Sequence, residues 1–423
     1  MRAIFSRSCG QTRFLRAVSL VFALLLAACG GGGGTTAATA VATTPGAPPT
    51  AATAAELTLA TVPGDRVTLG QLIFNDRNLS EPRGTACVAC HQANMGFAGN
   101  NGSVIGVAAG SRPGLIGLRN AMTNAYSGFV PAFEFNTTAL ETEAVGGHFW
   151  DGRANTLAQQ ALGPFLNPLE MNNPDRKSVV DKIAASTYAP LFRQEFGTAV
   201  FADTDAAFTQ IGLAIEAFER SAALQSFSSK YDALVRSQAT LTAQESRGMA
   251  LFIDAGKGNC AACHLMNPAS GKPEDSLFSE FTYYANGVPR NTAIPRNADP
   301  SFFDLGLCGP ERTAPTLPVN VLPGVTIENF CGKFRMPTLR NVAERPAFMH
   351  NGVFKDLRDV VRFYSNRKIN ATSNDLPAKY QANIEKVKAP FNRAATDGPA
   401  LTEPEINDIV AFLRTLSDGY RAP

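Results

Sequence analysis

Two cysteines and a histidine recur in this sequence with the same spacing, as CVACH at Cys87–His91 and as CAACH at Cys260–His264. Paired thiols can hold zinc or form a dithiol redox centre, but neither explains a histidine directly after both pairs. Covalent c-type haem does, because the cysteines form thioethers with the haem vinyl groups and the histidine becomes the proximal iron ligand. The motifs therefore predict two c-type haems, attached through Cys87, Cys90, Cys260 and Cys263, with His91 and His264 bound to iron.

The segments that precede the two motifs resemble each other, which indicates an internal repeat. LGQLIFNDRNLSEPRGTACVACH (69–91) and RGMALFIDAGKGNCAACH (247–264) both contain a glycine, an apolar helical spacing, an aspartate and a turn. The distance between the motifs is about one domain length. The repeat therefore predicts two similar domains, residues 63–235 and residues 236–423.

Helical patterns dominate the rest of the chain. Residues 202–224 and 402–416 have helical periodicity, and Thr402 with Glu405 has the spacing of a capping box. Alternating strand patterns are scarce, and 27 prolines favour long ordered loops. We predict an all-α fold of two cytochrome c-type domains, each with one covalently bound haem.

The N-terminus has the pattern of an export signal. Residues 1–28 contain four arginines, no acid and a short apolar run, and they end in Leu26-Ala27-Ala28-Cys29, which resembles a bacterial lipoprotein signal. The alternative is an ordinary cleaved signal that removes Cys29. Residues 29–62 are of low complexity and predict a flexible tether. We expect a periplasmic protein, lipidated at Cys29 and anchored to the outer membrane.

The charge of the chain bears on its partners, and the remaining cysteines bear on a disulfide. The formal net charge is +2, and no basic block is interleaved with aromatic residues, so nucleic acid is not an expected partner. Contact with the membrane is expected through the lipid anchor only. Cys308 and Cys331 are left over from the haem motifs, and in an oxidising compartment they predict a disulfide, with a redox-active pair as the alternative.

Two long motifs resemble the family of bacterial di-haem cytochrome c peroxidases and MauG. They are HFWDGRANTLAQQALGPFLNPLEM (148–171) and FRMPTLRNVAERPAFMHNGVFKDLRDVVRFY (334–364). The resemblance implies two facing haems, with the peroxide site at the N-terminal haem and an electron relay at the C-terminal haem. It also implies functional side chains in the first motif, namely Trp150 between the haems, Gln160 and Pro164 in the distal pocket, and Glu170 as the acid–base group.

The same resemblance implies a calcium ion between the haems. Its side-chain ligand would be Asn120, and its backbone ligands would be the carbonyls of Arg345 and Ala347. The side chains at these two last positions depart from the threonine and proline of the family, so the calcium rests on weaker similarity than the haems.

Two positions depart from the peroxidase branch of the family. Val107 stands where that branch caps the resting N-terminal iron with histidine, and valine cannot bind iron. Tyr364 stands where that branch has the methionine ligand of the C-terminal iron, and MauG also has tyrosine there. A phenolate oxygen lowers the iron potential, whereas a thioether raises it. Met336 and Met349 are competing ligands for this iron.

Two histidines, His148 and His350, lie outside the CxxCH motifs. His350 is expected to order the pocket of the C-terminal haem. His148 is expected at the surface or in packing, with a distal iron ligand as the alternative.

The residues also indicate a reaction without reference to the family. Peroxide cleavage needs an open iron position and a group that carries a proton from the inner to the outer oxygen. Glu170 lies in the apolar stretch NPLEM, where a carboxylate has a raised pKa and can do this. Gln160 can orient the peroxide, and the single tryptophan, Trp150, can carry electrons.

The sequence therefore predicts a peroxidase that reduces hydrogen peroxide with electrons from a donor protein or a small reductant. One alternative is a MauG-like enzyme that oxidises Trp or Tyr side chains of a partner protein. Another is a di-haem electron carrier without enzymatic activity. A zinc or dithiol protein is the fourth possibility.

Overall fold

The computed structural model describes residues 65–313 and 316–422. Helices and long loops make up most of these residues, as the helical patterns predict. The predicted signal peptide (1–28), lipidation site (Cys29) and tether (29–62) lie outside the described residues and stay predictions. Within the described ranges, no helix combines the length and the apolar character needed to cross a membrane.

Ten α-helices are present in the described residues. In chain order they are α1 (Arg66–Asn75), α2 (Cys87–Cys90), α3 (Leu157–Leu166), α4 (Arg176–Ala184), α5 (Ala189–Phe196), α6 (Thr204–Glu219), α7 (Lys230–Val235), α8 (Ala243–Ile253), α9 (Leu357–Ser365) and α10 (Glu403–Arg414).

Two small antiparallel sheets accompany the helices. In the first, β1 (Glu134–Thr137) pairs with β2 (Thr142–Val145). In the second, β3 (Tyr283–Tyr284) pairs with β4 (Phe334–Arg335), so that Tyr284 faces Phe334 in the register. The second sheet joins the loop that follows CAACH to the second long motif.

The helices that precede the two CxxCH motifs pack in the same way. Helix α1 lies on α6, and α8 lies on α10. At each crossing a glycine makes the approach possible, since a Cβ on Gly70 would lie 1.9 Å from the Ala214 carbonyl oxygen and one on Gly248 would lie 1.9 Å from the Asp408 carbonyl oxygen. The glycine shared by the two repeated segments is therefore a packing requirement of each helix pair.

Capping side chains fix where the helices of these pairs begin. Thr402 and Glu405 form the predicted capping box of α10, and Thr242 with Glu245 forms another on α8. Helix α6 begins at residue 204, because the Asp203 carboxylate accepts hydrogen bonds from the first backbone N–H groups, and it ends at Glu219, before the end of the predicted 202–224.

Two large apolar cores form around the helix pairs. The first is built by α1, α3, α4, α5 and α6, and includes Phe74, Phe165 and Phe218. The second is built by α7, α8, α9 and α10, and includes Phe252 and Phe412. The exact domain limits, 63–235 and 236–423, stay predictions.

A smaller third cluster supports the second sheet. It contains Ala144, Tyr283, Leu307 and Phe330. Beside it, Cys308 and Cys331 form a disulfide with their Cα atoms 5.0 Å apart. The disulfide therefore closes the long loop that leads into β4.

Candidate active site

Each CxxCH motif opens onto a large cavity. Cys87, Cys90 and His91 line one cavity, of about 1300 Å³ including space open to solvent, which we call the N-cavity. Cys260, Cys263 and His264 line the other, of about 1810 Å³ on the same basis, which we call the C-cavity. The linings are mainly apolar, as expected for the site of a large cofactor.

The two motif histidines are held in the same orientation. The Nδ1 atom of His91 lies 3.0 Å from the Phe97 carbonyl oxygen, and that of His264 lies 2.8 Å from the Phe278 carbonyl oxygen. A histidine that donates its Nδ1–H to a carbonyl presents a neutral Nε2 lone pair to a metal. Both histidines are therefore oriented to serve as iron ligands through Nε2.

The motif cysteines do not resemble a dithiol or zinc centre. Burial raises the pKa of Cys87, Cys90 and Cys260 to about 12, whereas reactive thiols need a lowered pKa. In residues 65–313 and 316–422, no group of three or more Cys, His, Asp or Glu side chains could hold a metal ion. The paired thiols, the oriented histidines and the adjoining apolar cavities together fit covalent haem.

The structure brings the four predicted distal residues into the N-cavity. Trp150, Gln160, Pro164 and Glu170 all line it, together with His91. Helix α3 presents Gln160 and Pro164 on one face, one turn apart, and Thr156 caps its first turn. The loop after α3 then turns Glu170 back toward the cavity through a hydrogen bond from its N–H to the Asn167 carbonyl.

The environment of Glu170 suits a group that moves protons. Burial raises the pKa of its carboxyl group to about 7, and the negative charge of Glu311 adds to the increase. The positive charge of Arg153 and a hydrogen bond with Asn167 act in the opposite direction. A carboxyl group with a pKa near the working pH can both accept and donate a proton.

Arg153 and Glu311 were not predicted as site residues. Both line the N-cavity, and their side chains form an ion pair of 3.3 Å. Arg153 also stacks its guanidinium over the Phe149 ring at 3.6 Å and pairs with the buried Asp151 at 2.9 Å. Glu311 lies far from the first long motif in sequence, so that motif gave no indication of the pair.

Trp150 lies between the two cavities. Its side chain is 8% exposed and lines both of them. The indole N–H donates to the Asn120 carbonyl at 2.8 Å, and the Trp150 carbonyl accepts from the Arg335 N–H at 2.8 Å. On the C-cavity side, the ring meets the edge of His350 at a centroid distance of 6.5 Å. The position is therefore fixed from both halves of the chain.

Arg335 is a second shared residue that was not predicted. Its guanidinium donates to the Phe149 carbonyl at 3.3 Å and to the Met122 sulfur at 3.5 Å, and it lines both cavities. Burial lowers its pKa, and no carboxylate of the described residues forms an ion pair with it. A buried, unpaired cation suits an anionic group within the cavities, such as a haem propionate.

Glu219 is a third residue that the sequence reasoning missed. It lies at the C-terminal end of α6, lines the N-cavity and is 1% exposed. Its Oε1 accepts from Asn124 at 2.6 Å, whereas Oε2 has no hydrogen-bond partner, and burial raises its pKa to about 8. Leu413 follows Phe412 in α10 as Glu219 follows Phe218 in α6, and it lines the C-cavity. An alignment of the α6 and α10 sequences would have shown that Glu219 occupies the position of Leu413.

Val107 and His148 both lie close to the distal region. Val107 is fully buried, and its neighbours Ala108 and Ala109 line the N-cavity. His148 is 4% exposed and lines the same cavity, so of the two expected positions, at the surface or in packing, the structure shows the buried one. Burial and the nearby Arg335 and Arg220 lower the pKa of His148 to about 3, which keeps its imidazole neutral. Its role as a distal ligand stays a prediction.

The C-cavity contains the predicted ligands of the second iron. Tyr364 projects from α9 into it, and Asn286 donates to the Tyr364 hydroxyl at 3.0 Å. Burial raises the pKa of Tyr364, so a phenolate there would require a bound cation. Met336 and Met349 line the same cavity and stay competitors for the position.

His350 lies in the C-cavity, where the sequence placed it, and its role in ordering a haem pocket stays a prediction. It lines the C-cavity, stacks on Phe334 at a centroid distance of 3.6 Å, and lies 3.6 Å from the Asp375 carboxylate. These contacts hold the ring beside Trp150.

The predicted calcium site is only partly assembled. The Asn120 side-chain amide lies 3.0 Å from the Ala347 carbonyl and 3.3 Å from the Met349 carbonyl. The Arg345 guanidinium is buried nearby in the C-cavity lining and donates to the Thr338 and Arg340 carbonyls. The Asn120 amide nitrogen donates a hydrogen bond to the Ala347 carbonyl, so the two residues are adjacent, and calcium binding itself stays a prediction.

Comparison with known proteins agrees with this geometry. The family model described as di-haem cytochrome c peroxidase matches residues 64–240. The methylamine utilization protein MauG of Paracoccus denitrificans is 33% identical over 364 residues, which cover 84% of this chain and 89% of MauG. The cytochrome c551 peroxidase of Pseudomonas aeruginosa is 26% identical, over 82% of this chain and 78% of that protein.

Solved structures similar to this chain also include a dihaem peroxidase and a MauG-like protein. The crystal structure of the dihaem peroxidase BthA from Burkholderia thailandensis is 40% identical, with a TM-score of 0.75, and the match covers 84% of this chain and 86% of BthA. A MauG-like protein associated with microbial copper homeostasis is 27% identical, with a TM-score of 0.56 over 84% of this chain and 89% of that one. Both peroxidases and MauG proteins are thus among the relatives.

Proposed function

Because this chain belongs to the family of di-haem cytochrome c peroxidases and MauG, which are oxidoreductases, we propose that it is a di-haem peroxidase that reduces hydrogen peroxide in the N-cavity. The family implies two c-type haems, and electrons reach the N-cavity from the C-cavity through Trp150. An external donor protein or a small reductant supplies them. The observation that carries the proposal is that Glu170, Gln160 and His91 share one cavity, whose wall toward the other motif contains Trp150.

The side chains of the N-cavity have different roles in peroxide cleavage. The haem, when bound, supplies an iron atom that binds peroxide and exchanges electrons. The Glu170 carboxylate takes the proton from the inner peroxide oxygen and returns it to the outer one, so that this oxygen leaves as water. Gln160 donates a hydrogen bond that orients the peroxide, and Pro164 contributes an apolar surface beside it.

Rapid mixing of the oxidised protein with hydrogen peroxide tests this proposal. Because valine occupies position 107, we expect the haem absorbance bands to shift at once, without prior reduction of the protein. If a shift requires one added electron, a side chain such as His148 caps the iron and the protein is a reductively activated peroxidase. If neither state reacts, the protein is an electron carrier and the proposal is wrong.

Replacing Trp150 with phenylalanine tests the relay. The variant keeps an aromatic ring but loses the indole N–H bond to Asn120 and much of the π-system between the cavities. We expect peroxide to react normally at the N-cavity, while the absorbance change of the second haem becomes slower. Phe165→Leu, at an aromatic residue of the first core that lines neither cavity, is the control. Equal rates in the two variants would exclude Trp150 as the relay.

A MauG-like oxidation of a partner protein is the second candidate function. It is favoured by Tyr364, whose hydroxyl group lies in the C-cavity where the peroxidase branch has methionine. Mass spectrometry of co-expressed exported proteins separates the two functions. Peroxide-dependent covalent modification of a Trp or Tyr side chain would support this candidate, whereas turnover with a small reductant alone would support the peroxidase.

A further inference from the structure

Tyr284 connects the lining of the C-cavity with the outer face of the second sheet. It lies in β3 beside Phe334, is half-buried and lines the cavity together with Cys263 and His264. Its hydroxyl group lies near the Cys263 sulfur. Since Cys263 is a predicted haem attachment point, Tyr284 lies next to the edge of the second haem site.

The hydroxyl group of Tyr284 is held between an acid and a base. It donates a short hydrogen bond to the Glu280 carboxylate and accepts one from the Lys388 ammonium at 2.6 Å. Thr282 also donates to the same Glu280 oxygen, at 2.7 Å, which fixes the carboxylate in place. A phenol in this arrangement has a proton acceptor already in contact.

The polar chain continues to solvent. Lys388 pairs with Glu143 of β2 at 3.2 Å, and these two side chains are 32% and 31% exposed. The path therefore leads from the cavity through Tyr284 to an accessible pair of opposite charges. An external reductant can reach this pair without entering the cavity.

Burial and the neighbouring carboxylate raise the pKa of Tyr284. Loss of the phenol proton to solvent before oxidation is therefore unfavourable. A phenol that has lost an electron but kept its proton is a strong acid, so this state is also unfavourable. Oxidation is favourable only when the electron and the proton leave together, and Glu280 provides the position to which the proton can move.

We propose that Tyr284 is a redox residue that carries oxidising equivalents between the C-cavity and the protein surface at Lys388 and Glu143. One electron leaves the Tyr284 ring for the peroxide-oxidised enzyme, the O–H bond breaks, and the proton moves to Glu280. The neutral tyrosyl radical then takes one electron from a reductant at the surface, and the proton returns from Glu280. The inference rests on the proposed function, since peroxide is the source of the oxidising equivalents.

Tyr283, the adjacent residue in β3, offers a matched comparison. It is 4% exposed, and its hydroxyl group donates to the Gly146 carbonyl at 2.6 Å. A backbone carbonyl cannot accept the proton of an oxidised phenol. Tyr283→Phe therefore removes the same hydroxyl group from the neighbouring residue, at a site without a proton acceptor.

The test compares Tyr284→Phe with Tyr283→Phe in the haem-loaded protein. Each is mixed with peroxide and frozen at short times for electron paramagnetic resonance, and oxidation of ferrocyanide and of a reduced c-type cytochrome is measured separately. We expect a tyrosyl signal in the wild type and in Tyr283→Phe, and its loss in Tyr284→Phe. Donor oxidation should fall roughly tenfold or more in Tyr284→Phe and in Glu280→Gln, while the initial response of the haem bands to peroxide stays unchanged.

A tyrosyl signal that persists in Tyr284→Phe, or donor oxidation equal in the two tyrosine variants, would overturn the proposal. Hexachloroiridate(IV), a one-electron oxidant, replaces peroxide in a parallel series. If the haem bands of every variant ignore peroxide, the proposed function fails, and the iridate series still decides whether Tyr284 is the oxidised residue.

Discussion

Replacing Glu170 with glutamine is expected to slow the reaction with hydrogen peroxide by roughly 10²–10⁴-fold, the usual contribution of a general acid–base group. Glutamine has nearly the same shape as glutamate, so the cavity and its water content should be preserved. An amide cannot accept the proton of the inner peroxide oxygen, so the leaving oxygen would depart without it. Stopped-flow absorbance of the haem bands measures the second-order rate directly.

The pH dependence of the same rate is a second test of Glu170 as the group that accepts the proton. Because burial raises its pKa to about 7, the carboxylate that accepts the proton forms only as the pH rises through that value. We therefore expect the wild-type rate to increase with pH around a midpoint near 7, and the rate of Glu170→Gln to be flat. A flat wild-type profile would show that Glu170 does not take the proton.

Glu311→Gln is the matched control for this assignment. Glu311 lines the same cavity, and its negative charge contributes to the raised pKa of Glu170. Removing that charge also frees Arg153 from its ion pair, and both changes stabilise the Glu170 carboxylate. We expect the reaction to remain fast and its midpoint to move below that of the wild type. A loss of rate as large as that of Glu170→Gln would contradict these separate roles.

The raised pKa of Glu170 also has a consequence for stability. The folded protein binds this proton more tightly than the unfolded chain, whose carboxyl has a pKa near 4.5. The stabilising contribution is therefore complete below about pH 4.5 and is lost as the pH rises toward 7. An ionised Glu170 thus destabilises the protein at the pH where it is needed as a base, as is common for catalytic groups.

The sequence predicted the parts of the site that lie within continuous motifs. Each CxxCH group lines one cavity, and the four predicted side chains from Trp150 to Glu170 line the N-cavity as expected, because α3 and the turn after it fix the relative positions of Gln160, Pro164 and Glu170 locally. The capping box of Thr402 is local in the same sense. Spacing along the chain is sufficient information wherever one helix or turn determines the geometry.

The parts that the sequence did not predict depend on contacts between distant segments. Arg335 reaches both cavities only because β4 pairs with β3 and its N–H bonds the Trp150 carbonyl. Glu311 approaches Glu170 from a loop, and His148 is buried by residues from both halves. The sequence does not show whether folding will bury a given charged side chain. The positions of these residues could therefore be found only from the structure.

Replacing Asp232 with asparagine is expected to lower the free energy of unfolding by about 3–5 kcal/mol, because it leaves a buried arginine without its counter-charge. Asp232 and Arg340 are both fully buried, and the guanidinium contacts the two carboxylate oxygens at 2.9 and 3.1 Å. Asparagine keeps the shape of the side chain, removes the charge and replaces one acceptor oxygen with an NH₂ group, so a hydrogen bond from Arg340 or Ser229 is lost as well. The midpoint of urea unfolding, followed by far-UV circular dichroism, should therefore fall clearly.

The position of Arg340 explains why this loss should also affect the second haem site. Its other nitrogens donate to the Ser276 carbonyl at 3.0 Å and the Pro273 carbonyl at 2.7 Å, in the loop that follows CAACH. The guanidinium also lies over the Tyr126 ring, 4.7 Å from its centroid. If Arg340 moves toward water, this loop loses its attachment, and the Phe278 carbonyl that orients His264 lies two residues further along.

Asp181→Asn provides the control, since it breaks an ion pair of the same charge type on the surface. Lys177 and Asp181 lie one turn apart on α4 and are 68% and 61% exposed, so solvent screens this pair and it should contribute little to stability. Equal midpoints for Asp232→Asn and Asp181→Asn would contradict the structural role assigned to the buried pair. A lower midpoint for Asp232→Asn, accompanied by a changed spectrum of the His264 haem and an unchanged spectrum of the His91 haem, would link the buried pair to the geometry of the C-cavity.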